Sequence, residues 1–165
     1  MENTTYDKKS IHQLVERNKN TVYRLALVYC KNQSDADDIF QEVFLKFCKK
    51  RPVFESEEHE KAWFIRVTIN CCKSLLRSAW FQKTTALDET IPAMTRKEQE
   101  LFEYIGKLPP NYKLVVYLHY YQGYSLVEVA NLMGKNQNTI RTYLFRARKQ
   151  LKDVLEKEEF TWNAE

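Results

Sequence analysis

Between Lys135 and Lys152 the chain carries six basic residues and no acidic one. With Ile140 as the inward reference and about 100° per residue, Asn138, Thr142, Phe145 and Lys149 lie near the opposite face of a helix. Arg141 and Arg146 flank them. Arginine and asparagine can read guanine and adenine edges with paired hydrogen bonds, and a phenylalanine ring can meet a thymine methyl. Lys149 and Lys152 suit phosphates, which position rather than specify. Arg148 falls towards the buried rim and is set aside as a base reader. A solvated basic face would show the same charges, so the elements around the segment must decide.

Those elements read as a helix-turn-helix. Ser125 and Glu128 form a capping-box pattern that opens a short helix. Leu126, Val129, Ala130 and Met133 recur at i, i+3, i+4 and i+7 and share one inward face. Gly134 permits the tight turn, and Ile140, Leu144, Ala147 and Leu151 then point inward from a second helix. A helix presented in this way fits the major groove of DNA.

The chain has 165 residues and a net charge of +4, so outside the six-cation stretch it nets −2. The basicity is local, as expected of a nucleic-acid footprint on a protein with a second task elsewhere. Cys30, Cys48, Cys71 and Cys72 form no C-x-x-C pair, and His12, His59 and His119 are scattered. Reduced core thiols are expected, with no metal and no cofactor. No apolar run is long enough to span a membrane and the N-terminus has no signal-peptide pattern, so no membrane insertion and a cytoplasmic location are expected. No phosphate-binding loop, nucleophile elbow or zinc-protease motif occurs, and a non-enzyme is expected.

Three glycines, four prolines and recurrent helical periodicity predict an all-α protein. Helices are expected over about 10–18 and 21–30. A third should be capped by Ser34, carry Asp35, Asp37 and Asp38 near its start, and run to about Lys50 before Pro52. A loop from Arg51 to His59 precedes a helix over about 60–80. Residues 81–94, with Pro92, read as a flexible linker between two small helical domains, 1–80 and 95–165. The second should open on a Thr95–Glu98 capping box, continue from Pro109-Pro110, and reach Gly123 before the helix-turn-helix.

Two helices of the first domain carry further chemistry. In the one from Asp35 to Phe47, Ala36, Phe40, Val43 and Phe47 share a face that Ile39, Phe44 and Leu45 widen. Asp38, Gln41, Glu42 and Lys46 form a polar strip beside it. An acidic, partly apolar helix suits a protein surface better than DNA, although a core helix with a solvated edge has the same spacing. The helix over 60–80 mixes Trp63, Phe64, Arg66, Lys73, Arg77, Trp80 and Phe81, with Asn70 at its middle. Rings interleaved with cations suit single-stranded nucleic acid, while Trp63, Val67 and Leu75 also read as ordinary core.

The order of these parts resembles a known family. Ala36-Asp37-Asp38-Ile39-Phe40-Gln41-Glu42-Val43-Phe44 is similar to the A-E-D-L-x-Q-E-V-F signature of bacterial sigma factors, especially the extracytoplasmic-function group. The run Trp63 to Asn70 resembles that group's W-L-x-R-I-A-x-N. Leu108-Pro109-Pro110 and then Tyr124 to Ala130 resemble L-P-x and G-x-S-x-x-E-I-A, and Thr139 to Arg148 resembles T-V-R-S-R-x-x-R-A-R. Ile69, Ser74 and Tyr143 depart from the residues frequent there.

The resemblance implies roles. Asp38, Gln41, Glu42 and Phe44 match positions that grip core RNA polymerase. The loop from Val53 through Phe54, Glu55 and Ser56 to Glu57 matches one that captures a base flipped from the −10 element. Trp63, Arg66, Asn70, Lys73 and Arg77 lie on the helix that recognises and melts that element. Asn138, Thr139, Arg141, Thr142, Phe145, Arg146 and Lys149 fall on the reader of the −35 element. Implied partners are core RNA polymerase, promoter DNA and an anti-sigma factor. A polymerase-independent regulator would use the same helix-turn-helix as a dimer, but would not need the two first-domain patterns.

Overall fold

The computed structural model describes residues 6–30, 32–77 and 95–157, and the chain divides into two compact units, Met1–Asp88 and Glu89–Glu165. Every regular element among the described residues is helical. The expected linker, Trp80 and Phe81 lie outside the described residues.

The first unit packs three helices against one another: α1 (Lys8–Cys30), α2 (Gln33–Lys50) and α3 (Glu57–Arg77). Where two helices were expected over 10–18 and 21–30, α1 is continuous. Its polar middle is bridged by tertiary contacts. Asn18 is buried, and its amide donates to Leu14 O at 2.9 Å and to Glu60 Oε1 at 2.7 Å. Arg17 grips the same carboxylate through Nε and Nη2, both at 3.0 Å. A side chain that would otherwise compete with the helical backbone is thus satisfied from α3.

The cap of α2 is Asn32, not Ser34. Asn32 Oδ1 accepts from Asp35 N–H at 2.8 Å, and its amide donates to the Asp35 carboxylate at 2.6 Å. Either residue type can cap, but only Asn32 holds the extended backbone, φ −142°, that a cap requires. The buried line of α2 is Ala36, Ile39, Val43 and Phe47. Ile39 replaces the expected Phe40, which is half-buried and meets Tyr23 edge-on at 6.1 Å. Both spacings are helical, and a helix packed against two neighbours buries a broad stripe. Phe47 alone, fully buried, contributes about 1.5–3 kcal/mol. Leu45 points outward and is 59% exposed. Cys30, Cys71 and Cys72 are buried as expected, but Cys48 is exposed. Arg51 ends the helix in the left-handed region, φ 43°, with its N–H on Phe47 O at 2.8 Å.

The second unit comprises α4 (Arg96–Gly106), α5 (Pro110–Val116), a π-helical turn (Tyr117–Tyr121), α6 (Leu126–Met133) and α7 (Gln137–Lys157). Pro110 occupies the first turn of α5, where a missing N–H is harmless. Gln99 N–H donates to Thr95 O at 3.0 Å, while the Glu98 side chain of the expected capping box lies outside the described residues. Both hydrogen bonds of the Ser125–Glu128 box are present, at 2.8 and 3.2 Å. Gly134 closes α6 at φ 64°, a conformation that glycine adopts without strain. The π-turn was not expected. Gln122 N–H reaches back to Tyr117 O at 3.0 Å, and the Tyr117 and Tyr121 rings stack at 5.2 Å.

Candidate nucleic-acid interface

Three exposed surfaces collect the residues singled out by the sequence. The first is α7. Asn136 starts it, accepting from Thr139 N–H through Oδ1 at 2.8 Å. Ile140, Leu144 and Ala147 are buried against the rest of the unit, and Leu151 is half-buried. Asn138, Arg141, Thr142, Phe145, Arg146 and Lys149 are exposed, and Thr139 is half-buried. Phe145 is 69% exposed, a ring left in water by the fold itself. The Thr142 hydroxyl donates to Asn138 O at 3.0 Å.

Arg148 departs from its expected place on the buried rim. It is exposed, its Nε donates to the Tyr120 hydroxyl, and its guanidinium lies 5.3 Å from the Tyr120 ring centre. The π-turn supplies Tyr120, which is 54% exposed. Its neighbour His119 bonds through Nδ1 to Tyr124 O at 2.7 Å.

The second surface lies on α2. Asp38, Gln41, Glu42 and Leu45 follow one another at i, i+3, i+4 and i+7, and all four are exposed. Glu42 pairs with Lys46 at 3.3 Å on the edge of this strip. Phe44 is half-buried beside it, against Phe40 at 4.8 Å and Phe64 at 5.3 Å. The sequence read Leu45 as a widening of the apolar stripe; the structure makes it a bare apolar side chain at the end of the polar strip, one turn from Gln41 and Glu42.

The third surface joins the loop before α3 to α3 itself. Trp63, Arg66, Asn70, Lys73 and Arg77 recur at alternating steps of three and four, which is one helical stripe. Arg66, Asn70 and Arg77 are exposed; Trp63 and Lys73 are half-buried. From Lys61 to Arg77 there are four cations and no acid, so the stripe is positive throughout. Trp63 stands edge-on to Phe64 at 5.0 Å and to Phe47 at 6.1 Å, which fixes the indole. In the loop, Val53 is 60% exposed, and Glu55 and Ser56 are exposed. Phe54 is half-buried and packs against His59, Trp63 and Phe64 at 5.5, 5.9 and 6.4 Å. Ser56 opens α3 by accepting His59 N–H at 3.1 Å, so the helix starts earlier than expected, with Glu57, Glu58 and Glu60 in its first turn.

Burial, and then the charge of Glu60, push the Tyr6 phenol above its ordinary range, so it stays a donor. Burial, then Glu42, likewise raise the Cys71 thiol, which keeps it protonated and unreactive. Among the described residues no group of His, Cys, Asp and Glu could hold a metal ion, and no helix is long and apolar enough to cross a membrane.

Comparison with known proteins finds a match for each unit. The family model for Sigma-70 region 2 matches residues 14–82, and that for Sigma-70 region 4 matches residues 98–151. RNA polymerase sigma factor SigV of Bacillus subtilis is 34% identical over 151 residues, covering 87% of this chain and 89% of that protein. The ECF RNA polymerase sigma factor SigM of Mycobacterium tuberculosis is 27% identical, covering 90% and 79%. Among solved structures, the sigma factor RpoE of Bartonella quintana, in complex with the anti-sigma factor NepR, shares the fold with a TM-score of 0.75. It is 20% identical, with 90% of this chain and 98% of that one covered. A polymerase-independent regulator would leave the region 2 match over α1 to α3 unexplained. The chain belongs to the sigma-70 family, as an extracytoplasmic-function sigma factor that directs RNA polymerase to specific promoters.

Proposed function

We propose that this sigma factor divides promoter recognition among its three surfaces. Asp38, Gln41, Glu42 and Phe44, joined by Leu45, dock on core RNA polymerase. The α7 face, with Asn138, Thr139, Arg141, Thr142, Phe145, Arg146 and Lys149, reads the −35 element in the major groove. The stripe of Trp63, Arg66, Asn70, Lys73 and Arg77 holds the −10 strand as it opens, and the loop of Val53, Phe54, Glu55 and Ser56 receives an unstacked base. Rings accept bases while cations follow the backbone, and the capture offsets an unstacking cost of about a few kcal/mol.

Opening of DNA in this scheme uses binding energy, and the chain performs no chemical step of its own. The working boundaries are 1–80 for polymerase binding and melting, 81–94 for a linker, and 95–165 for −35 recognition. The location is the cytoplasm, where polymerase and promoter are. An anti-sigma factor, as NepR is for RpoE of Bartonella quintana, is the expected inhibitor.

The observation that carries this reading is the opposed chemistry of α2 and α3 within one unit. One presents Asp38 and Glu42 in a strip that ends on a bare leucine, the other cations around a fixed indole. A protein and a nucleic acid are the partners that fit. Run-off transcription tests it, using purified core polymerase and a template pool randomised over the −35 and −10 segments. Enrichment of a discrete promoter is expected; binding to core with no template selected would overturn the assignment of the DNA faces.

A further inference from the structure

The loop before α3 has no regular structure, yet its backbone is pinned at both ends. The Tyr6 hydroxyl donates to Pro52 O at 2.5 Å across 46 residues of sequence, and its ring meets Phe47 edge-on at 5.5 Å. Glu55 N–H donates to His59 Nδ1 at 3.2 Å, which places the imidazole proton on Nε2. The same histidine presents its ring edge-on to Phe54 and its backbone N–H to Ser56 Oγ. Between these pins the Val53, Glu55 and Ser56 side chains stand in solvent. A fixed backbone carrying exposed side chains is a preorganised receptor, because the ordering cost is met in folding rather than on binding.

We propose that Tyr6 and His59 are positioning residues that hold the Val53–Ser56 loop in the shape that receives an unstacked base. The inference rests on the assignment of that loop to base capture. Tyr6 and His59 do not themselves touch DNA. Their effect is confined to the step in which a base enters the loop; His59 is exposed and stands one turn before Trp63 in line with the α3 stripe, so a direct contact of its own with the strand would show as an equal loss on intact and abasic strands.

The test uses the full chain bound to core polymerase. The ligand is the non-template −10 strand of a promoter selected as above, either intact or with an abasic site at each position in turn. One position should show a marked loss when abasic, and the ratio of intact to abasic affinity there reports base capture. Tyr6→Phe and His59→Phe keep their rings and each remove one hydrogen bond. Each should narrow that ratio by about two- to tenfold and leave the abasic affinity unchanged. His59→Asn, which returns an acceptor near the place of Nδ1, should restore the ratio. An unchanged ratio in both Phe variants overturns the inference, as does an equal fall on intact and abasic strands. If Val53→Ala and Glu55→Ala also leave the ratio unchanged, the loop assignment fails as well.

Discussion

Arg17 and Glu60 form a pair whose two truncations should be unequal, and the larger loss should follow removal of the more exposed partner. The Glu60 side chain is 9% exposed and the Arg17 side chain 41%. In Arg17→Ala the carboxylate stays within the unit, with the Asn18 amide at 2.7 Å and the N-terminal turn of α3 to compensate it. An uncompensated buried charge costs about 3–5 kcal/mol, and the remaining bond and slight exposure place this one at the low end, about 3 kcal/mol. In Glu60→Ala the guanidinium turns to water, and Asn18 keeps its bond to Leu14 O at 2.9 Å. That leaves a loss of about 1–2 kcal/mol, mostly the charge-assisted bonds themselves. Thermal unfolding of the full chain, followed by helical circular dichroism, measures both. At about 4–8 °C per kcal/mol for a unit of this size, the two melting points should differ by about 4–16 °C. Equal losses, or a greater loss in Glu60→Ala, would refute the reasoning. They would mean that water reaches the carboxylate freely once Arg17 is gone.

Arg146→Ala should weaken promoter binding by about 1–3 kcal/mol and relax selectivity at one position of the −35 element, read by competition among template variants. Arg148→Ala should weaken all sequences alike and lower the salt slope of binding by about one, because its guanidinium is anchored at Tyr120. Gln41→Ala with Glu42→Lys should weaken binding to core polymerase by affinity measurement with helical content intact, since both side chains are exposed. Gly134→Ala should cost about 1 kcal/mol in chemical denaturation; nothing lies within 4 Å of the added carbon, so the loss is conformational strain alone.

The helix-turn-helix was legible because its signals are local. Ser125, Glu128, Gly134 and the spacing of Ile140, Leu144 and Ala147 each act within a turn or two. Elements decided at long range were not. The continuity of α1 depends on Glu60, more than 40 residues away, and nothing around Asn18 announces it. Asn32 and Ser34 are both competent caps, so backbone conformation chose between them. The π-turn lies in a run of aromatic residues with no glycine or proline, where an α-helix reads equally well. Of the candidate site, the polar positions were legible from helical phase. Phe54 reads as a loop residue but is packed among rings, and Leu45 reads as core but faces solvent.

In the free protein the Thr142 hydroxyl donates to Asn138 O. If α7 reads the −35 element as proposed, a base pair facing Thr142 meets an acceptor and a methyl group for as long as that bond is kept. Such a letter favours the exocyclic amine of adenine or cytosine, or the methyl of thymine, and offers nothing to the paired acceptors of guanine. Arg141 and Arg146, which only donate, complement it. The helix thus carries a short alphabet of opposite polarities, and Thr142→Ser would erase the methyl while keeping the acceptor.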